Sequence, residues 1–180
     1  MLGLMEILNS LQRAELQLLA RIFRQGQRRA VIPAARALSR SGDGYLHALL
    51  PLLLGIMGVA YWQDFALLVA VALTAERLLY FALKNSLRRR RPQEAVPGFR
   101  SLITASDRFS FPSGHSSAAF LLATALVILY GGALLPIYLW AGCVALSRVL
   151  LGVHFPGDTL AGAVMGSALA VLTAAQLGML

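Results

Sequence analysis

The stretch FALLVAVALTAERLLYFAL, residues 65–83, decides the fold class of this chain. Its only charged residues are Glu76 and Arg77, and a helix of this length spans about 28 Å at ~1.5 Å per residue. That length is close to the ~30 Å hydrocarbon core of a bilayer. We therefore expect a transmembrane helix here.

Four more apolar runs accompany it, at residues 45–62, about 115–130, 133–151 and 159–180. The run at 115–130 is short for a straight crossing and is expected to tilt. Of the 180 residues, 58% are hydrophobic and 13% charged, which leaves too little polar sequence to coat a soluble bundle of buried helices. The sequence predicts an all-α polytopic membrane bundle of about five transmembrane helices.

The first 44 residues differ from the remainder, so we divide the chain into an amphipathic interfacial segment, 1–44, and a membrane-embedded domain, 45–180. Between residues 8 and 38 apolar side chains alternate with arginines, a pattern typical of helices that lie in the headgroup region. Pro33 is expected to break this segment into two helices. The alternative is a charged helix pair packed on the membrane domain. The early charges Glu6, Arg13 and Glu15 argue against a cleavable signal peptide.

Five crossings place three polar segments on one membrane face, because each crossing changes sides. These are the N-terminal segment, the 84–112 loop and the 148–158 turn. The turns at 63–64 and 131–132 lie on the opposite face. We therefore expect the polar clusters of the chain to converge at one membrane surface.

His154 and Asp158 form the first candidate pair. Pro156 and Gly157 between them mark the start of the last helix, so Asp158 lies in the first helical turn, where the helix dipole favours a carboxylate. Asp158 can accept a hydrogen bond from one ring nitrogen of His154 and leave the other free as a nucleophile. Taken alone, this spacing is more often a structural hydrogen bond.

Ser113, Gly114 and His115 follow Pro112 and directly precede an apolar helix. Amide groups at a helix N-terminus bind anionic oxygens, and glycine permits close approach to the backbone. His115 is placed to protonate a departing alkoxide. The alternative for Ser113 is an ordinary helix cap.

Three cations lie at the ends of apolar segments on the same face: Lys84, Arg91 and Arg148. Such side chains bind phosphate, arginine through two-pronged bonds and lysine as a point charge. The neighbouring run of Arg88, Arg89 and Arg90 is more typical of an anionic-lipid contact or a topology signal.

The pattern resembles the three-part signature of the type 2 phosphatidic acid phosphatase superfamily. The matching elements are Lys84-x6-Arg91-Pro92, Pro112-Ser113-Gly114-His115 and Ser147-Arg148-x5-His154-x3-Asp158. All signature positions match, in the family's order and spacing, across residues 84–158. The membrane spans narrow the resemblance to lipid phosphatases, although the usual first of six spans is missing and the N-terminal segment stands in its place.

The resemblance implies a two-step, metal-independent hydrolysis without a cofactor. His154 would attack phosphorus, Asp158 would orient it, and His115 would protonate the leaving oxygen. Lys84, Arg91, Ser113, Gly114 and Arg148 would stabilise the equatorial oxygens. The expected partners are a lipid phosphate, the bilayer and its anionic lipids, and no nucleic acid.

Several alternatives stay open at this point. The substrate can be acyl or isoprenoid, and a monophosphate or a diphosphate. Of the 16 Lys and Arg residues, all but Arg77 lie near the catalytic face, which favours a cytoplasmic site in a bacterial inner membrane. An undecaprenyl-diphosphate phosphatase facing outward and a lipid phosphotransferase are the alternatives, and a membrane binding protein with a vestigial site is a third. Arg77 either lines a pocket below the phosphate or pairs with another span.

Overall fold

The computed structural model describes the backbone of residues 2–180 and the side chains from Ser10 onward. Within these bounds the chain is helical, which confirms the all-α prediction. The α-helices are α1 (Leu2–Gly26), α2 (Val31–Ser41), α3 (Tyr45–Ile56), α4 (Trp62–Leu87), α5 (Pro92–Ala95), α6 (Gly114–Tyr130), α7 (Ile137–Leu150) and α8 (Pro156–Gln176), with a 3-10 turn at Gly132–Leu134.

The five apolar runs all form helices, but these helices differ in length. In the described part of the chain, three stretches are long and apolar enough to cross a membrane: Trp62–Ala95, Gly132–Leu150 and Pro156–Gln176. The shorter apolar helices are α3, with 12 residues, and α6, with 17. We expected the first run to continue to residue 62, but α3 ends at Ile56. The reason is a turn in which Gly58 and Tyr61 adopt positive φ angles, so α3 spans only about 18 Å.

Small residues on α8 bring this helix against α6. A Cβ added to Gly166 would lie 2.0 Å from the carbonyl oxygen of Ser117, and one added to Gly162 would lie 2.5 Å from that of Ser113. Membrane helices use such residues where their backbones approach closely. Because α6 also packs on α4 and α7, it forms the buried centre of the bundle.

The N-terminal segment forms two helices, as predicted, and Pro33 lies in the first turn of α2. Leu19 of α1 packs with Val149 and Phe155 in a buried cluster. Leu18, the neighbouring residue, lies about 100° away around the axis of α1 and is 46% exposed. The inner face of α1 therefore belongs to the helical core, and contact between its outer face and lipid stays a prediction.

The predicted convergence of the polar segments is confirmed at one end of the bundle. Arg91 Nη1 donates a hydrogen bond to the Val153 carbonyl oxygen at 2.5 Å. The Ser113 amide donates to the Asp158 carbonyl oxygen at 3.0 Å. These bonds tie the loop after α4 to the α7–α8 turn, and the first turn of α6 to that of α8.

Candidate active site

A cavity of about 520 Å³ opens where these segments meet. Five of the predicted site residues line it, namely Arg91, Gly114, His115, Arg148 and His154. The other three, Lys84, Ser113 and Asp158, are buried next to the residues that line it. The fold thus collects all eight predicted residues in one region.

His154 lies in the short turn between α7 and α8 and is 2% exposed. Its Nδ1 atom is buried and has no hydrogen-bond partner within the described part of the chain. Burial lowers the pKa of His154 to about 4 and outweighs the opposing effect of the nearby carboxylate. The imidazole is therefore neutral at neutral pH, which is the protonation state that a nucleophile requires.

Asp158 is fully buried in the first turn of α8. Its Oδ2 atom lies 3.6 Å from His154 Nδ1, which is beyond hydrogen-bond distance. The same oxygen accepts a hydrogen bond from the Phe155 amide at 2.8 Å and another from the Ser110 hydroxyl. Asp158 therefore caps α8 while it faces His154.

His115, in the first turn of α6, has a partner that the sequence did not indicate. Its Nε2 atom lies 2.7 Å from Oδ1 of Asp43, which belongs to the turn between α2 and α3. Both residues line the cavity. The N-terminal segment thus contributes a carboxylate to the site.

Ser113 is the N-cap of α6, as one interpretation of its position required. Its hydroxyl oxygen accepts from the Ser116 amide at 3.4 Å and from the Ser116 hydroxyl at 2.9 Å. Gly114 follows it at the cavity wall, where an added Cβ would lie 3.0 Å from the ring of Tyr80. Glycine therefore keeps the helix N-terminus open towards the cavity.

Lys84 and Arg91 share a carboxylate, that of Asp107. Lys84 Nζ lies 2.6 Å from Asp107 Oδ2, and Arg91 forms an ion pair with Oδ1. Lys84 also donates to the Tyr80 hydroxyl at 2.5 Å. The two cations are 4% and 3% exposed, so Asp107 neutralises charge that would otherwise be buried without a counter-ion.

The cations shift the titration of Asp107. Partial burial would raise its pKa, but hydrogen bonds from Lys84 and Tyr80 and the charges of Lys84 and Arg91 outweigh this and lower it to about 2. The carboxyl is therefore ionised at neutral pH. In the sequence Asp107 was one of several scattered acidic residues, and no local motif distinguished it.

Arg148 lies at the end of α7 and is 5% exposed. One of its terminal nitrogens donates to the Ser39 hydroxyl of α2, whereas its Nε atom is buried without a partner among the described residues. A buried, unpartnered guanidinium nitrogen is a strong site for an anionic oxygen.

Arg77 lines the cavity, as one of its two interpretations predicted. Among the described residues, its ion-pair partner is its sequence neighbour Glu76 and not a residue of another span, which was the other interpretation. Its Nη2 atom lies 2.6 Å from Oε1 of Glu76. Glu76 is fully buried and also accepts from the Ser117 hydroxyl.

The lipid or topology role predicted for Arg89 needs correction. Arg89 points inward, where its Nη1 atom lies 2.7 Å from Asp158 Oδ1 and its Nη2 atom lies 2.5 Å from Glu15 Oε2. Arg88 and Arg90 are exposed, so the earlier interpretation stays a prediction for them. The sequence does not distinguish the inward-facing Arg89 from its exposed neighbours, because only the fold determines which arginine of the run faces α8.

Among the described side chains, no three His, Cys, Asp or Glu residues are grouped as metal ligands would be. The cavity presents instead arginine side chains, histidines and a helix N-terminus, which together suit a phosphate group.

The family model of the PAP2 superfamily matches residues 65–180. The chain belongs to this superfamily. A decaprenylphosphoryl-5-phosphoribose phosphatase of Mycobacterium tuberculosis is 30% identical to this PAP2 protein over 143 residues, which cover 78% of the chain and 77% of the relative. A lipid A 4'-phosphatase of Bacteroides thetaiotaomicron is 34% identical over 108 residues, which cover 54% of the chain and 48% of that relative.

Solved structures match over most of the chain. The PAP2-type phosphatidylglycerolphosphate phosphatase of Bacillus subtilis superposes with a TM-score of 0.77 at 27% identity, covering 94% of this chain and 87% of that one. LpxE of Aquifex aeolicus has the same fold, with a TM-score of 0.78 at 24% identity and coverage of 88% and 93%. With its apolar helices, this PAP2 protein is a membrane lipid phosphatase.

Proposed function

We propose that this PAP2 protein cleaves a phosphate from a lipid through a covalent phosphohistidine on His154, without a metal ion. The observation that carries the proposal is a buried, neutral His154 in a cavity that also contains Arg91, Arg148 and His115. This set supplies a nucleophile, an acid and fixed positive charge.

In the first step, the ring nitrogen of His154 remote from Asp158 attacks phosphorus. The N–P bond forms as the bond from phosphorus to the lipid oxygen breaks, and His115 donates a proton to that oxygen. Arg91, Arg148 and the amides at the start of α6 stabilise the equatorial oxygens. Lys84 contributes charge from behind the cavity wall.

In the second step, water attacks the phosphohistidine and the N–P bond breaks. His115, now neutral, accepts a proton from the water, and inorganic phosphate leaves. Asp158 stabilises the positive imidazole that forms in the first step. A small rotation of the ring of His154 would shorten the 3.6 Å separation to hydrogen-bond distance, as often happens when substrate binds.

For the substrate, we propose a phosphomonoester at the end of a membrane lipid, with a polyprenyl-linked sugar phosphate as the first candidate. The relative from M. tuberculosis, which aligns with most of the chain, carries such a substrate in its name. Phosphate release should be compared across polyprenyl-linked sugar phosphates, isoprenyl diphosphates, phosphatidate, phosphatidylglycerophosphate and lipid A. Competing alcohols in the same reactions would reveal transfer to another acceptor.

The central test is the His154→Ala variant, assayed for phosphate release in detergent. The rate should fall by more than about 10³, the scale expected when a nucleophile is removed. His47→Gln is the control, because His47 is also buried but is not among the residues that line the cavity. Near-normal turnover by His154→Ala would reject the assignment.

Trapping the intermediate gives an independent measurement. With a ³²P-labelled substrate and an alkaline quench, the wild type should carry a label that acid releases. The label should be absent in His154→Ala. It should accumulate in His115→Ala when the leaving group is a good one, because formation then needs little acid while hydrolysis still needs the base.

We further propose that the site faces the cytoplasm of a bacterial inner membrane, which the positive charge of the N-terminal segment supports. In a background with Cys143 replaced, a cysteine at Arg100 should resist an impermeant thiol reagent in intact cells. A cysteine at Gly132 should react. The reverse pattern would place the site outside and favour a diphosphate substrate.

A further inference from the structure

Arg89 connects the surface helix α1 to the residue that faces the proposed nucleophile. One of its terminal nitrogens lies 2.7 Å from Asp158 and the other 2.5 Å from Glu15. The guanidinium also lies over the ring of Phe155, 4.2 Å from its centroid. Arg89 is therefore held on three sides, and its side chain is 32% exposed.

The contact with Asp158 accounts for the orientation of that carboxylate. Arg89 holds Oδ1, while the Phe155 amide and the Ser110 hydroxyl hold Oδ2. Oδ2 is the oxygen that faces His154 Nδ1. With both oxygens fixed, Asp158 presents one edge to the histidine, and Arg89 supplies the opposite charge that a fully buried carboxylate needs.

Glu15 fixes this arrangement from α1. Its Oε2 atom pairs with Arg89, and its Oε1 atom accepts a hydrogen bond from the Gly157 amide at 3.0 Å. A Cβ added to Gly157 would lie 2.6 Å from that oxygen, so the Glu15 side chain of α1 approaches the start of α8 closely. Glu15 thus bridges the arginine and the backbone next to Asp158.

We infer that Arg89 and Glu15 are positioning residues for the reaction, and that α1 completes the active site by holding Asp158 against His154. The inference rests on the roles proposed above for His154 and Asp158. Neither Arg89 nor Glu15 lines the cavity. Their loss should therefore slow the chemical step without weakening substrate binding.

The test measures kcat and KM of the purified full-length protein. Arg89→Gln should lower kcat about tenfold to a hundredfold, by analogy with the loss of residues that orient metal-binding side chains in other enzymes, while KM stays within about threefold. Arg89→Lys should recover part of kcat, because it keeps the charge but not the two-pronged geometry. Glu15→Gln should give a smaller loss of kcat, again with KM unchanged.

Arg90→Gln is the matched control, since Arg90 belongs to the same run and is exposed. A double-mutant cycle with Asp158→Asn separates positioning from general stability. In the Asp158→Asn background, Arg89→Gln should cost less than about twofold, because the group it positions has already been altered. A thermal unfolding midpoint near that of the wild type would show that each variant is folded.

Three results would overturn the inference: a wild-type kcat for Arg89→Gln, a loss confined to KM, or an equal loss in both backgrounds. If His154→Ala is inactive and Asp158→Asn is strongly impaired while Arg89→Gln is normal, only this inference fails. If His154→Ala remains active, the proposed function fails first.

Discussion

Asp107 pairs with two of the cations that a phosphate would use, so removing its charge should strengthen the binding of phosphate analogues. Its carboxylate pairs with Lys84 and Arg91 while its own side chain is 34% exposed. Partly exposed ion pairs are worth about 0.5–1 kcal/mol each. A phosphate analogue that breaks both pairs to bind the two cations loses about 1–2 kcal/mol of binding free energy. This loss corresponds to about a fivefold to thirtyfold change in its affinity.

The perturbation is Asp107→Asn, which keeps the shape of the side chain and one acceptor but removes the competing charge. The inhibition constant of orthovanadate, measured against a short-chain lipid phosphate, should fall by the factor derived above. Asp64→Asn is the control, because Asp64 is an exposed carboxylate in the first turn of α4, at the end opposite Lys84. An unchanged or higher inhibition constant in folded Asp107→Asn would show that Asp107 supports the cations instead of competing with phosphate.

The pKa of Asp107 adds a dependence of stability on pH. Its folded value of about 2 lies below its ordinary value of 3.8. The stabilisation is therefore fully present above about pH 4 and is lost as the pH falls through 2. The difference in thermal midpoint between wild type and Asp107→Asn should be constant from pH 5 to 7 and should shrink towards pH 2. A difference that grows on acidification would contradict the ion-pair assignment.

Three further predictions follow from the site and its packing. Asp43→Asn should lower kcat for an alkyl phosphate ester more than for p-nitrophenyl phosphate, because only the alkoxide depends strongly on His115 as an acid; equal losses on both would reject a role in protonation. Gly166→Ala should destabilise the protein by about 1–3 kcal/mol through overpacking against Ser117. Gly142→Ala is the control and should not destabilise it, because an added Cβ there meets nothing within 4 Å. Equal thermal midpoints for the two variants would contradict the close packing of α8 on α6. Phosphate release should persist in excess EDTA and fall with vanadate, and strict dependence on Mg²⁺ would exclude the proposed mechanism.

Most of the fold could be predicted because its signal is local. Uninterrupted apolar runs of membrane length form helices wherever they occur. Since each helix crosses the bilayer, successive loops lie on alternate faces of the membrane. The predicted end of α3 was wrong for a local reason that hydropathy does not detect. Gly58 and Tyr61 turn the backbone within a run that remains apolar, so composition alone extends the helix too far.

The basic and histidine residues of the site could be predicted because their spacing along the chain follows the helix ends. Apart from Asp158, the carboxylates that complete the site could not, and neither could the role of Arg89. Asp43, Glu15 and Arg89 meet their partners across 69 to 142 positions of sequence, and each belongs to a segment whose own pattern indicates a turn, a surface helix or a basic run. Nothing local distinguishes an acidic residue that faces the site from one that faces solvent.

The cations nevertheless imply that such carboxylates exist. Lys84, Arg91 and Arg148 are each at most 5% exposed and lie around one cavity. Burying like charges together is strongly unfavourable unless opposite charges accompany them. Asp107 supplies that charge for Lys84 and Arg91, whereas Arg148 Nε keeps no partner among the described residues. A bound phosphate would therefore gain most from Arg148, and Arg148→Gln should raise KM more than Lys84→Gln does, because Lys84 keeps Asp107 as its counter-ion in the free enzyme. Equal effects on KM would show that a counter-ion in the free enzyme does not reduce the contribution of Lys84 to substrate binding.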